Sequence, residues 1–215
     1  MSSQLENFSK NIIPEEEHSN MARLIFLGAP GAGKGTQGQI IAEAYRIEHI
    51  STGDLLRCAV ADKTSLGQEA ESFISKGQLV PTPLILKLVQ NHLMHKKDSL
   101  GWILDGFPRT QEQAIFLENL LDESNQTCDG VIQFSIVDQV LIERLLSRGR
   151  KDDTAPIIQE RLWIYHKQTA EVIQFYRELG RLVVIDGNQP VNRVTQELYR
   201  VLQTLLQKPL PLSHR

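Results

Sequence analysis

The chain has only two cysteines, Cys58 and Cys128, far apart in sequence and without metal-ligand spacing. That excludes a disulfide framework or a zinc site and leaves two free thiols, as expected in a reducing cytoplasm. No apolar run approaches the ~20 residues of a membrane span. Charge of one sign is scarce as well: the formal net charge is −3 over 215 residues. A nucleic-acid binder would carry a strongly basic footprint, and none is present. Residues 1–20 hold the acids Glu15, Glu16 and Glu17 and no apolar core, which argues against secretion. Internal repeats and low-complexity tracts are missing too. What remains is an ordinary globular composition, long enough for one substantial core with small excursions.

The pattern along the chain alternates short apolar runs with helical periods. Residues 1–21 read as a flexible extension, with Met21 an alternative start because the structured pattern begins directly after it. Strands are expected at Ala22–Leu27, Glu48–Ile50, Trp102–Asp105, Val131–Ile136 and Leu182–Ile185. Helices are expected at Lys34–Tyr45, Asp54–Ala61, Leu66–Lys76, Pro83–Met94, Gln111–Leu121, Val140–Ser147, Ile157–Leu179 (one long helix) and Val191–Leu206. Residues 208–215, broken by Pro209 and Pro211, read as a fraying tail. This order predicts an α/β fold, an open five-stranded parallel sheet with helices on both faces. Ligands of such sheets bind at the carboxyl ends of the strands. The suggestive residues do gather there, after Leu27, Ile50, Leu104 and Ile185.

Gly28-Ala29-Pro30-Gly31-Ala32-Gly33-Lys34-Gly35-Thr36 follows the first strand and opens the first helix. Glycines let the backbone wrap an anion and aim several N–H groups at it. The helix N-terminus adds partial positive charge, and Lys34 can reach the β- and γ-phosphates. A glycine-rich turn with an accidental lysine would share the letters, but not the strand–loop–helix context. One departure from the general pattern is that Gly35 stands between Lys34 and the hydroxyl of Thr36. The loop specifies a nucleoside triphosphate and leaves the acceptor open. No Asn/Thr-Lys-x-Asp guanine motif accompanies it.

Two further motifs sit at strand ends, Ser51-Thr52-Gly53-Asp54-Leu55-Leu56-Arg57 and Asp105-Gly106-Phe107-Pro108-Arg109-Thr110. With the phosphate loop they closely resemble the adenylate kinases, within the nucleoside monophosphate kinase family, over residues 22–207. Bringing two polyphosphates together requires cations beyond the loop, and arginine binds phosphate bidentately. Candidates are Arg57, Arg109, Arg148, Arg150 and Arg161; Arg144 shares a helical face with Arg148 at i, i+4.

The resemblance implies roles for these residues. ATP would be held by Gly31, Ala32, Gly33, Lys34, Gly35, Thr36, Arg144, Arg148 and Gln189. AMP would be held by Thr52, Arg57, Gln78, Leu79, Val80, Gly106, Phe107, Pro108, Arg109 and Gln113, with Gln113 reading its adenine, and by Arg150 and Arg161. Catalysis would rest on Lys34, Arg109, Arg148, Arg150 and Arg161. From its place at a strand end beside the loop, Asp105 would either meet magnesium through water, since that ion prefers oxygen ligands and keeps several waters, or cap the next turn, and the magnesium reading is favoured. Asp152 and Asp153 could orient the closing arginines or form an exposed acidic pair. His92 and His95 lack a third ligand and suggest a partly exposed helix face; His166 suggests packing or solvation, and Leu141, Leu145 and Leu146 core.

The expected reaction is reversible transfer of the terminal phosphoryl group of ATP to AMP, giving two ADP and serving adenine nucleotide homeostasis. The attacking phosphate is already anionic, so no general base is required. Residues 51–80 and the short segment 148–154 are expected to move as an AMP-binding flap and a short lid. Relatives with long lids insert a small domain there, often with four cysteines for zinc, and this chain has neither. Expectations are therefore magnesium with ATP, no structural zinc, no nucleic-acid or membrane partner, and a cytoplasmic monomer. The alternatives are a UMP/CMP kinase of the same fold, disfavoured by Thr52 and Gln113, and a non-catalytic nucleotide sensor. A sensor predicts erosion of Lys34 or the arginine set, and both are intact.

Overall fold

In the computed structural model, residues 22–94 and 101–206 are described. The expectations for residues 1–21 and 208–215, and for His95, lie outside them. Five strands, β1 (Arg23–Gly28), β2 (Glu48–Ser51), β3 (Trp102–Asp105), β4 (Gly130–Ser135) and β5 (Leu182–Asp186), form one sheet in the order β2-β3-β1-β4-β5. Every pairing is parallel, with Leu24 opposite Ile103 on one side and Gly130 on the other. The helices are α1 (Lys34–Tyr45), α2 (Thr52–Ala61), α3 (Ser65–Ile74), α4 (Thr82–Met94), α5 (Gln111–Glu123), α6 (Asp138–Arg148), α7 (Ala155–Ile164), α8 (Ala170–Glu178) and α9 (Val191–Leu206).

The strands explain the layers. Side chains alternate faces along a strand, and a parallel sheet buries both. Leu24 and Phe26 join a core with Ile41, Leu141, Leu162 and Leu198, from α1, α6, α7 and α9. Ile25 and Leu27, one residue out of step, join a second core with Leu56, Val89, Leu117 and Tyr176, from α2, α4, α5 and α8. The expected fold class is the one observed, and its strand and helix bounds shift by at most a few residues.

Two details differ from expectation. The long helix at Ile157–Leu179 is divided by a π-helical turn at Tyr165–Thr169. Before the turn, Ile158 and Leu162 face the first core; after it, Val172 and Tyr176 face the second. The wider turn rotates the buried stripe from one side of the sheet to the other, a change that a constant 3.6-residue period does not contain. Leu146 is not core: it is 52% exposed, because α6 buries only Leu141 and Leu145. His92 is partly exposed, as expected, and its Nε2 also lies 2.9 Å from Glu48 Oε1, so α4 is tied to β2.

Candidate active site

The loop between β1 and α1 turns because Gly31 (φ +85°) and Gly33 (φ +91°) take left-handed backbone. At Gly31 the space is also restricted, since a Cβ would meet Leu145 Cγ at 3.0 Å and Leu141 O at 3.2 Å. Alanine there would suffer both strain and contact. Lys34 curls back and donates to Gly28 O (2.8 Å) and Ala29 O (3.0 Å). An ammonium has three donors, so one is left for a ligand. Burial lowers the Lys34 pKa to about 8, Arg109 and Arg148 push the same way, and Asp105 opposes them.

The β3–α5 connection is clamped residue by residue. Thr110 caps α5, accepting from the Gln113 N–H at 3.3 Å, and Gln113 Oε1 accepts from the Arg109 backbone N–H at 2.8 Å. This reciprocal pairing is a variant of the capping box. Arg109 Nε donates to Gly106 O (2.7 Å), and Thr52 Oγ1 donates to Asp105 O (3.2 Å). Gly106 has φ +84° and faces Thr52 Oγ1, which a Cβ would approach to 2.8 Å. From the other side, Thr169 Oγ1, delivered by the π-helical turn, donates to Arg109 O at 3.4 Å.

Arg57, Arg148, Arg150 and Arg161 are met by carboxylates. Arg148 grips Asp153 with Nε at 2.8 Å and Nη2 at 2.6 Å. Arg161 pairs with Asp152 and reaches Asp153 at 3.5 Å. Arg57 pairs with Asp54, which Arg150 also approaches at 3.7 Å. Asp152 and Asp153 are therefore orienting groups rather than a free acidic pair. Partial burial works against ionisation of Asp54, Asp152 and Asp153, but the arginine hydrogen bonds outweigh it and hold all three below the usual carboxylate range. Arg109 and Arg150 are lowered, by burial first and then by neighbouring arginines.

These groups surround one cleft of about 670 Å3 at the carboxyl ends of the strands. Seven cations line it (Lys34, Arg57, Arg109, Arg144, Arg148, Arg150 and Arg161) against the carboxylates of Asp54 and Asp105. Such an excess in a concave, partly desolvated space calls for polyanions. Of the residues expected at the site, Gly31–Thr36, Thr52, Gln78, Leu79, Val80, Asp105, Gly106, Pro108, Gln113 and Gln189 line the same cleft. Phe107 does not: its ring is fully buried in the second core, so only its backbone remains for a ligand.

An adenylate kinase family model matches residues 26–181. The chain belongs to the adenylate kinase family. It is 50% identical over 180 residues to adenylate kinase 1 of Synechocystis sp. (strain PCC 6803), covering 84% of this chain and 96% of that one. It is likewise 50% identical to adenylate kinase 1 of Nostoc sp. (strain PCC 7120), over 85% of this chain and 99% of the relative. To the adenylate kinase of Cyanothece sp. (strain PCC 7425) it is 47% identical, over 86% and 97%.

Against that family background, the structure adds residues that motif spacing did not single out. Asp54 joins two arginines, Thr169 holds the Arg109 carbonyl, and His49 Nε2 lies 3.5 Å from Asp105 Oδ2. Gln37, 2% exposed, bonds across to α9. A sequence signal existed only for Asp54, within the Thr52–Arg57 motif; the others depend on contacts distant in the chain. Among the described residues, no three His, Cys, Asp or Glu side chains are grouped to hold a metal ion, and no helix is long and apolar enough to cross a membrane.

Proposed function

We infer that the chain catalyses the reversible transfer of the terminal phosphoryl group of ATP to AMP, giving two ADP. The single observation that carries this reading is the seven-cation cleft, which holds a phosphate loop at one end and the Thr52, Arg57, Arg109 and Gln113 cluster at the other. The loop accounts for one phosphate chain, and the second cluster, at the other end of the cleft, offers a separate seat from which a second nucleotide can meet it.

Lys34 and the loop N–H groups bind the donor phosphates, with Arg144, Arg148 and Gln189 on the ATP side. Arg57, Arg109, Gln78–Val80 and Gln113 receive AMP. Gln113 Oε1 already accepts from Arg109, which leaves its amide N–H2 to donate toward a base acceptor. Arg109, Arg148, Arg150 and Arg161 stabilise charge on the transferring group, where arginine contributes roughly 10³–10⁵ in rate. Residues 51–80 and 148–154 act as the moving flaps, and closure excludes the water that would compete with AMP. The contact between Arg150 and Asp54, one from each segment, supports that pairing.

Magnesium fits the donor set. Asp105 presents Oδ2 toward Gly35 of the loop, 3.7 Å from where a Cβ would stand. One carboxylate plus phosphate oxygens and waters is the arrangement magnesium favours. The ion would neutralise phosphate charge; Asp105 would hold it through water, and Thr36 lies in the same loop. The free thiols, Cys58 exposed and Cys128 buried, support a reducing, cytoplasmic setting. The large exposed apolar side chains are divided among α5, α6, α7, β5 and α9 and their flanks, which supports a monomer.

The test is a comparison of AMP, CMP and UMP as acceptors with purified protein, ATP and magnesium. A preference for AMP is expected; a preference for CMP or UMP refutes the base assignment.

A further inference from the structure

α1 and α9 pack along an apolar seam in which Ile41 and Tyr45 meet Val194, Leu198 and Tyr199. Gln37 stands one turn before Ile41 and two before Tyr45, so it occupies the same face at the cleft end of the seam. A glutamine buried there costs desolvation and side-chain entropy unless both ends of its amide are used. Both are used. Nε2 donates to Val191 O (3.1 Å), and the Thr195 hydroxyl, which also lies 2.9 Å from Val191 O, donates to Oε1 (2.9 Å). Gln37 directly follows Thr36 of the phosphate loop, and Val191 directly follows the Gln189–Pro190 segment that lines the same cleft.

We propose that Gln37 is a positioning residue that fixes the distance between the phosphate loop and the segment on which the donor base rests. It touches the backbone of that segment at Val191 O. A phosphate clamp and a base seat built on separate elements engage one ligand together with least loss of its freedom when their spacing is held. The bond from Gln37 to Val191 O supplies that spacing. The proposal rests on the reading of Gln189 and its neighbours as the adenine seat, so the experiment checks that seat separately.

The experiment measures dissociation constants for ATP and for inorganic tripolyphosphate, which carries the phosphates without the base. Wild type, Gln37→Leu and Gln37→Met are compared, each with its melting temperature. Photolabelling with 8-azido-ATP and peptide mapping locate the base in wild type. Loss of one hydrogen bond predicts ATP binding weaker by roughly fivefold in both variants. Tripolyphosphate binding stays within about twofold. Methionine behaves like leucine because it too offers no donor to Val191, and neither variant adds charge beside the loop. KM for ATP rises while kcat holds, the pattern of lost uniform binding. Should Gln37→Leu fail to fold, Thr195→Val probes the other end and is expected to shift ATP alone in the same direction. Equal weakening of both ligands, or of neither, overturns the proposal. Wild-type label absent from residues 186–191 overturns the seat itself and the proposal with it.

Discussion

Lys34 gives the sharpest pH prediction. In the proposed mechanism its ammonium binds phosphate, and burial lowers its pKa to about 8, with Arg109 and Arg148 adding to the effect. The depressed value means that the productive cation is lost as pH rises through about 8, instead of above 10 as for a solvated lysine. From pH 7 to pH 9 the protonated fraction falls from roughly nine-tenths to one-tenth, so kcat/KM for ATP should drop about tenfold. The assay is kcat/KM at saturating AMP between pH 7 and 10 and constant ionic strength, where nucleotide phosphates are already ionised. Bound triphosphate restores charge to the amine, so kcat should stay level to a higher pH than kcat/KM. Asp105 is the group that raises the Lys34 pKa; in metal-free ATP binding, Asp105→Asn should therefore move the break to lower pH. A profile flat to pH 9.5 would refute the reasoning.

Arg109 is half-buried, and its backbone is clamped at both N–H and C=O. Arg109→Ala should cut kcat by roughly 10³ or more with the far-ultraviolet circular dichroism unchanged; a near-normal rate would remove it from the catalytic set. Asp153 is nearly buried, with its side chain 1% exposed between Arg148 and Arg161. Asp153→Asn should cost about 3 kcal/mol in denaturant unfolding, the scale for breaking such a pair by removing one partner; a change below about 0.5 kcal/mol would contradict the clamp. At Gly67 a Cβ would collide with the Ala59 carbonyl, where α3 rests on α2. Gly67→Ala should therefore destabilise by about 1–3 kcal/mol, against the gain of up to ~1 kcal/mol that helix propensity alone predicts. Because α2 carries Thr52 and Arg57, KM for AMP should rise more than KM for ATP in that variant.

The fold was largely legible because its signals are local. β1 is an apolar run ended by glycine, and the match at Lys34–Tyr45 follows from a loop that stops the strand and a period that starts the helix. The π-helical turn was not legible, since Tyr165–Thr169 contains neither proline nor glycine and its cause is the exchange of one core for the other. At the site, glycines and arginines were readable as types whose chemistry restricts them to few uses. Gln37 and Thr169 were not, because glutamine and threonine are ordinary helix-surface residues until a partner at Val191 or Arg109 is known. At Phe107 the motif did not reveal that the ring belongs to the core, which leaves its backbone to face the cleft.

The most direct test of the account is the stoichiometry of the reaction catalysed by the purified protein with ATP, AMP and magnesium. Quantified by chromatography, each ATP consumed should be matched by one AMP consumed and two ADP formed, and the reaction should run backward from ADP alone. ATP loss with free phosphate as product, or no turnover by folded protein, would contradict a two-nucleotide site.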